Sequence, residues 1–365
     1  MRIAFFGYHK SFDFDKIGGT NSLVRRISLE LVKDHNITVD YVIYGTSSEK
    51  IENNSGITSN YFNKLKEALN SLKNYDHVVT MYIPPGDFIN YALFRRKEKN
   101  NIFFHIIYTD WPRSFIKRNA FFIFNSLWRY NGKSFSISPR IKDALKKWGD
   151  ESVFLLPPVP LDYFMEIGNN KNLGNLRVTF IGRVDVGKGV LEVIDILNQL
   201  AQDENIILKF YGIHWEDDPE AVKIHKNLSS QNKFDYISLD FNHYSSEVEE
   251  MVQDILRETD IFLQPYRHLS SSIDMPLLIL EAMASLCAVI TRPYGDIPRI
   301  YGESVCLVDD EEGSEKIVEI IRRASQWIPM ELERINHQNK TFSFDTLTVT
   351  TIFLKSLLEV GGKIS

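Results

Sequence analysis

The chain has 365 residues, 44% hydrophobic and 25% charged, with a net charge of −6; this composition is that of an ordinary globular protein, and the length favours two cores over one. No apolar run approaches the roughly 20 residues that span a bilayer, and MRIAFFGYHK turns polar too soon for a secretory signal, so a cytoplasmic location is expected. The two cysteines, Cys287 and Cys306, lie in the apolar contexts CAVIT and SVCLV, which read as buried thiols rather than as a disulfide framework or a metal site.

In chain order, short apolar strands alternate with helix-period segments, the pattern of parallel sheets covered by helices. Strands are expected at Arg2–Phe6, Thr38–Tyr44, His77–Met81 and Ile102–Tyr108. Leu23, Val24, Ile27 and Leu31 recur at helical spacing between the first two, so Gly18-Gly19-Thr20-Asn21 is the loop that opens a helix. Between Phe94 and Trp148 thirteen basic residues face three acidic ones. This stretch, 94–148, contains RSFIKRNAFFIFNSLWRY and reads either as a basic, aromatic surface for an anionic membrane or as an ordinary helix with a solvated face. Nucleic acid is set aside because no recognition motif accompanies the charge.

LLPPVPLDYF, Leu155 to Phe164, carries three prolines that preclude regular helix. It divides the chain into domains at 1–160 and 161–340. A second strand series follows at Arg177–Gly182, Asn205–Gly212, Asp260–Pro265 and Ser304–Val308. The tail, 341–365, contains SFDTLTVTTIFLKSLLEV; it reads as a helix that either completes the second domain or crosses back to the first.

The segment most informative about function is VTFIGRVDVGKGVLEVIDIL, where a strand ends in a loop with Gly182, Arg183, Gly187, Lys188 and Gly189 before a helix begins. Glycines at such a turn let backbone approach an anion, and the amides that open the helix favour negative charge. Arg183 adds a bidentate cation and Lys188 a mobile point charge, a pair suited to a diphosphate. The alternative is a solvated loop holding two bases. The GxxxxGK[ST] spacing of a P-loop is absent.

In SSSIDMPLLILEAMASLCAVITRPYGDIP, Pro276 is a favoured first-turn residue, and the amides around Met275, Pro276 and Leu277 form a second anion-attracting helix start. Glu281 then falls in the second turn of an otherwise apolar helix, where a buried carboxylate needs a partner, either ribose hydroxyls or a structural arginine.

With these residues the chain resembles the retaining glycosyltransferases of family four, also called group 1, which have the GT-B fold. Gly182-Arg183 with Lys188-Gly189 matches the family's G-R-…-K-G element, and Leu280-Glu281-Ala282-Met283-Ala284 matches the end of its E-x7-E element. Gly18-Gly19 is similar to the glycine pair of the family's first domain, PPVPLDYF to its interdomain segment and TDIFLQPY to its a-D-I-F-L-x-P strand. The resemblance implies two Rossmann-like domains facing each other across a cleft. It also implies that Arg183 and Lys188 neutralise a leaving nucleoside diphosphate, that Glu281 holds the ribose, and that Gly18 and Gly19 approach the phosphates. The reaction it implies moves a sugar from a nucleotide donor to a hydroxyl acceptor, a glycan or glycolipid, with retention. No metal or other cofactor is called for, because preplaced cations stabilise the departing diphosphate.

Two positions depart from the family pattern. The first glutamate of E-x7-E falls at Ile273, which cannot accept a hydrogen bond; Asp274 is the substitute near the sugar, or else a cap for the helix at Pro276. Where the family often places a histidine after a central strand, IIYTDWP offers Asp110, assigned beside the acceptor or anomeric centre, while His105 reads as a core histidine. Asp13-Phe14-Asp15 imitates a metal-binding D-x-D but precedes the first helix, and GYHKSFDF lacks a dinucleotide fingerprint. Two other readings stay open beside the transferase: a sugar-nucleotide epimerase or phosphorylase on the same fold, and a catalytically silent, partner-binding relative motivated by Ile273.

Overall fold

RIAFFGY forms strand β1 (Arg2–Tyr8), whose interior residues are buried, as a near-continuous apolar run in a doubly covered parallel sheet should be. The computed structural model describes residues 1–15, 17–98, 102–107, 132–147, 150–168, 174–213, 218–239, 243–266 and 273–361. The chain divides into two units, Met1–Pro158 with Phe344–Ser365, and Val159–Ser343. Each is a Rossmann-like α/β unit built on a mainly parallel sheet.

In the first unit β1 is followed by α1 (Gly19–Leu31), β2 (Thr38–Tyr44), β3 (Lys50–Asn54), β4 (Ile57–Phe62), α2 (Leu65–Ser71), β5 (His77–Thr80), α3 (Phe88–Lys97), β6 (Ile102–Ile107), β7 (Gly132–Ser136), α4 (Pro139–Lys147) and β8 (Val153–Phe154). The sheet order is β3-β4-β2-β1-β5-β6-β7-β8, and only the β3–β4 pair is antiparallel. Leu23, Val24, Ile27 and Leu31, expected on one face of α1, are all buried. The β3–β4 hairpin escapes the sequence reading because KIENNSGITSNYF has no apolar run. It turns through Ser55 at φ 54° and Gly56 at φ 82°, left-handed conformations that suit the twist of a two-residue hairpin loop.

The terminal helix, α12 (Thr346–Gly361), belongs to the first unit. Phe353 on it stacks on Phe5 at 5.9 Å and lies 5.0 Å from Phe135. Of the two placements open to the tail, aromatic packing selects the one on the first sheet.

The cationic stretch is corrected at one position. Arg95, counted on a basic face, is 5% exposed and lies over the rings of Phe103 and Tyr91 at 5.2 and 5.9 Å. Arg96 and Lys97 on α3 and Lys142, Lys146 and Lys147 on α4 are exposed. RSFIKRNAFFIFNSLWRY lies outside the described residues, as does Tyr108 of the expected fourth strand.

The second unit runs β9 (Leu176–Arg183), α5 (Val190–Leu200), β10 (Ile206–Ile213), α6 (Pro219–Ser230), β11 (Asp235–Leu239), α7 (Ser246–Glu258), β12 (Ile261–Gln264), α8 (Leu277–Ala284), β13 (Ala288–Thr291), α9 (Ile297–Tyr301), α10 (Gly313–Arg322) and α11 (Ala324–Phe342). Its sheet order is β11-β10-β9-β12-β13, parallel throughout. The chain winds outward from β9 in one direction and then restarts on the other side with β12, so the switch point lies between these two strands.

The strand expected at Ser304–Val308 is not formed. A single bridge joins Leu307 to Thr291, because the Ser304 hydroxyl takes the Cys306 amide at 3.0 Å and bends the segment into a local turn that competes with a ladder. Cys287 and Cys306 are both buried, and burial holds the Cys306 thiol well above its ordinary pKa, which leaves it unreactive. Among the described residues no helix is long and apolar enough to cross a membrane.

Candidate functional site

Ligands of open parallel sheets bind beyond the carboxyl ends of the strands at the switch point, and in the second unit that point gathers the predicted cations. β9 and β12 pair only at Ile261↔Val178 and Phe262↔Thr179, so the two strands diverge toward their C-terminal ends. The buried Gln264 spans the gap: its side-chain amide donates to the Ile181 carbonyl at 2.9 Å, and its backbone carbonyl accepts from the Thr291 hydroxyl at 2.7 Å. Arg183 ends β9 on one side of the crevice, and Pro265-Tyr266 leaves β12 on the other.

The loop after β9 is shaped by two local devices. The Asp185 carboxylate accepts the Gly187 amide at 2.8 Å, capping the short turn Val186–Lys188. Gly189 then sits at φ 73°, and a Cβ there would lie 2.5 Å from the Pro265 carbonyl oxygen. Only glycine permits both the left-handed backbone and that approach. Lys188 is thereby brought to Tyr266, its amino nitrogen 4.5 Å from the ring centroid. Burial and then the nearby Arg183 push the Lys188 amine down to about 8. Two cations near one crevice, one of them partly stripped of water, are poised for an anion. Gly189→Ala is expected to lower stability by about 1–2 kcal/mol through backbone strain alone; a thermal melt superimposable on the parent's would remove this reading of the loop.

Met275, Pro276 and Leu277 are buried and lead directly into α8. Pro276 occupies the position just before the first helical residue rather than the first turn itself. Asp274 is 1% exposed and Glu281 4%. The Asp274 carbonyl accepts from the Asp296 amide at 3.4 Å, which ties its loop to the one after β13. Glu281 lies one turn further along α8, among apolar neighbours that are themselves buried.

The other predicted residues fall elsewhere. Gly18 and Gly19 open α1 in the first unit, Gly18 at φ 148° with its carbonyl accepting from the Ser22 amide at 2.9 Å. Asp110 lies outside the described residues. His105 is in β6, where burial and Arg95 push its imidazole down to about 3 and keep it neutral. In the D-x-D lookalike, Asp13 accepts the Tyr61 hydroxyl at 2.8 Å, and the Phe14 carbonyl accepts from Arg25 at 2.7 Å; these bonds give the segment a structural role.

Sequence reasoning missed Tyr266 and the buried Glu192–Arg292 ion pair. An aromatic after a strand's proline reads as core, and nothing local links a glutamate in the first turn of α5 to an arginine that follows β13. The side chains of Glu192 and Arg292 are 5% and 1% exposed. Arg292 also donates to the carbonyls of Val308, at 3.1 Å, and Asp309. The pair fastens the helix that follows the cationic loop to the end of β13.

Residues 175–326 match the family of glycosyl transferases group 1. Among curated proteins the sequence has no match. Solved structures similar over nearly the whole chain include HepE from Anabaena in complex with UDP, at 12% identity and a TM-score of 0.72, covering 98% of this chain and 100% of that one. A glycosyltransferase from Rickettsia africae is 16% identical, with a TM-score of 0.67 over 98% of both chains. A UDP-forming α,α-trehalose-phosphate synthase from Burkholderia vietnamiensis is 11% identical, with a TM-score of 0.68, covering 100% of this chain and 98% of that one. The fold is GT-B, and with the family match across most of the second unit the class is glycosyltransferase.

Proposed function

We propose that the chain transfers a sugar from a nucleotide-sugar donor to a hydroxyl acceptor, a glycan or glycolipid, with retention and without a metal, in the assembly of surface glycans in the cytoplasm. The observation that carries this reading is the pairing of Arg183 with Lys188 at the switch point of the second unit, within the residues that match the group 1 family. As the donor's glycosidic bond breaks, negative charge builds on the leaving diphosphate, and preplaced cations stabilise it with no reorganisation at the moment of reaction. Glu281 is assigned to the donor ribose and Asp274 to the sugar; Asp110 is assigned to the acceptor side. Retention is supported by the resemblance to family four.

Ile273, in place of the family's first glutamate, favours a second reading, a silent relative that binds a partner. Incubation with a panel of nucleotide sugars, UDP-glucose among them because HepE has been crystallised with it, separates the two. Release of nucleoside diphosphate in the presence of an acceptor is expected. If no donor is turned over and none raises the melting temperature, the enzymatic reading fails.

The acceptor side is assigned to an anionic membrane surface. α3 exposes Ile89 and Leu93, at 58% and 51%, beside exposed Arg96 and Lys97. α3 links β5 to β6 and α4 links β7 to β8, crossovers that step the same way across the sheet and so lie on one face of it. The exposed lysines of α4 therefore extend the same basic side. Cosedimentation with anionic vesicles at low salt, lost at high salt, is the expected result; no sedimentation at low salt would sink it.

A further inference from the structure

Lys188 has a long, freely rotating stem and a second cation, Arg183, as its neighbour, with Asp185 as the acidic group on the same loop. Left to itself such an amine turns outward to water, away from like charge. Here it rests on the face of Tyr266. The ring is 4% exposed. Its backbone amide is held by the Gln264 carbonyl at 2.8 Å, and the Tyr294 ring lies 6.4 Å away. The partner of the lysine is thus itself fixed. The face of an aromatic ring attracts an ammonium electrostatically while excluding water from one side of it. Gly189, pressed against the Pro265 carbonyl, sets the loop at the height where the amine meets the ring of the next residue.

We propose that Tyr266 is a positioning residue that holds the Lys188 ammonium on its π face, beside Arg183, ready for the donor diphosphate; this rests on the reading of Lys188 as a diphosphate ligand. The ammonium lies over the ring face, while the hydroxyl is engaged with the Gln264 side chain, so the ring alone should suffice.

The test combines two readouts on Tyr266→Phe, Tyr266→Leu, Tyr266→Ala and Lys188→Ala. Competitive acetylation of lysines followed by peptide mass spectrometry gives the titration midpoint of Lys188 in the free protein. The parent and Tyr266→Phe are expected at about 8, and Tyr266→Ala, where admitted water outweighs the lost π attraction because burial is the largest cause of the shift, is expected to move toward the ordinary value of 10.5. Calorimetry with UDP, the nucleotide bound by HepE, is expected to show Tyr266→Phe within about twofold of the parent and Tyr266→Leu and Tyr266→Ala about three- to thirtyfold weaker. Tyr266→Leu fills the space without a π face, so the binding comparison survives if the alanine variant fails to fold. A Lys188 midpoint displaced as far in Tyr266→Phe as in Tyr266→Ala, or UDP affinity as low in Tyr266→Phe as in Tyr266→Leu, overturns the proposal. Parent-like UDP affinity in Lys188→Ala overturns instead the diphosphate reading, since the acetylation readout does not depend on it.

Discussion

Arg183→Ala and Lys188→Ala are each expected to lower donor turnover by about 10²-fold or more, with the fold intact. The magnitude is that of losing one preorganised charge-stabilising group from a transition state. Each charge-assisted contact to phosphate is worth about 1.5–3 kcal/mol, and the leaving diphosphate needs it more in the transition state than in the bound donor, so the loss should fall mainly on kcat. The two side chains act on one leaving group, and the double variant should therefore lose less than the product of the single losses. Lys188 adds a pH signature. Burial and the neighbouring Arg183 push its amine down to about 8, and the charged form is the one a diphosphate needs. Donor kcat/KM should be full below that pH and fall as pH rises through it, and this limb should vanish in Lys188→Ala. Initial rates against donor concentration across pH 6–10 measure all of this. Undiminished rates in both single variants would remove the diphosphate site from this crevice.

Glu192→Ala is expected to cost about 3–5 kcal/mol, because it strands a buried arginine. Arg292 keeps its bonds to the Val308 and Asp309 carbonyls and an ion pair at 3.6 Å with Asp310, which is 56% exposed and therefore a weak substitute for a buried carboxylate. For a unit of this size each kcal/mol moves the melting temperature by about 2–4 °C, so a fall of about 10 °C in the transition of the second unit is expected. Replacing both partners with apolar residues, Glu192→Met with Arg292→Leu, should cost much less, since no charge is then left unpaired. Differential scanning calorimetry of the three proteins makes the comparison. A double variant as unstable as Glu192→Ala would mean that packing, not the stranded charge, sets the cost.

The sequence by itself determined what depends on neighbours along the chain. The central strands, the helix after Gly18-Gly19, the interdomain prolines and the loop with Arg183, Lys188 and Gly189 are all written in local periodicity and turn chemistry, which survive translation into structure because each is formed by a few consecutive residues. The apolar spacing of the tail announces a helix too, but its attachment to the first unit depends on Phe353 meeting Phe5 and Phe135, residues that no period relates. The same holds wherever an expectation needed correction. Arg95 looks like any other basic residue in its stretch until Phe103 and Tyr91 surround it, and SVCLV reads as a strand until the Ser304 hydroxyl claims the Cys306 amide. Charge type is local, whereas burial and partnership belong to the assembled sheet. At the crevice beyond β9 and β12 the cations were legible as residues and illegible as an arrangement. Only the parallel sheet decides that, the ends of β9 and β12 laying Lys188 on Tyr266 and the end of β13 locking Arg292 to Glu192.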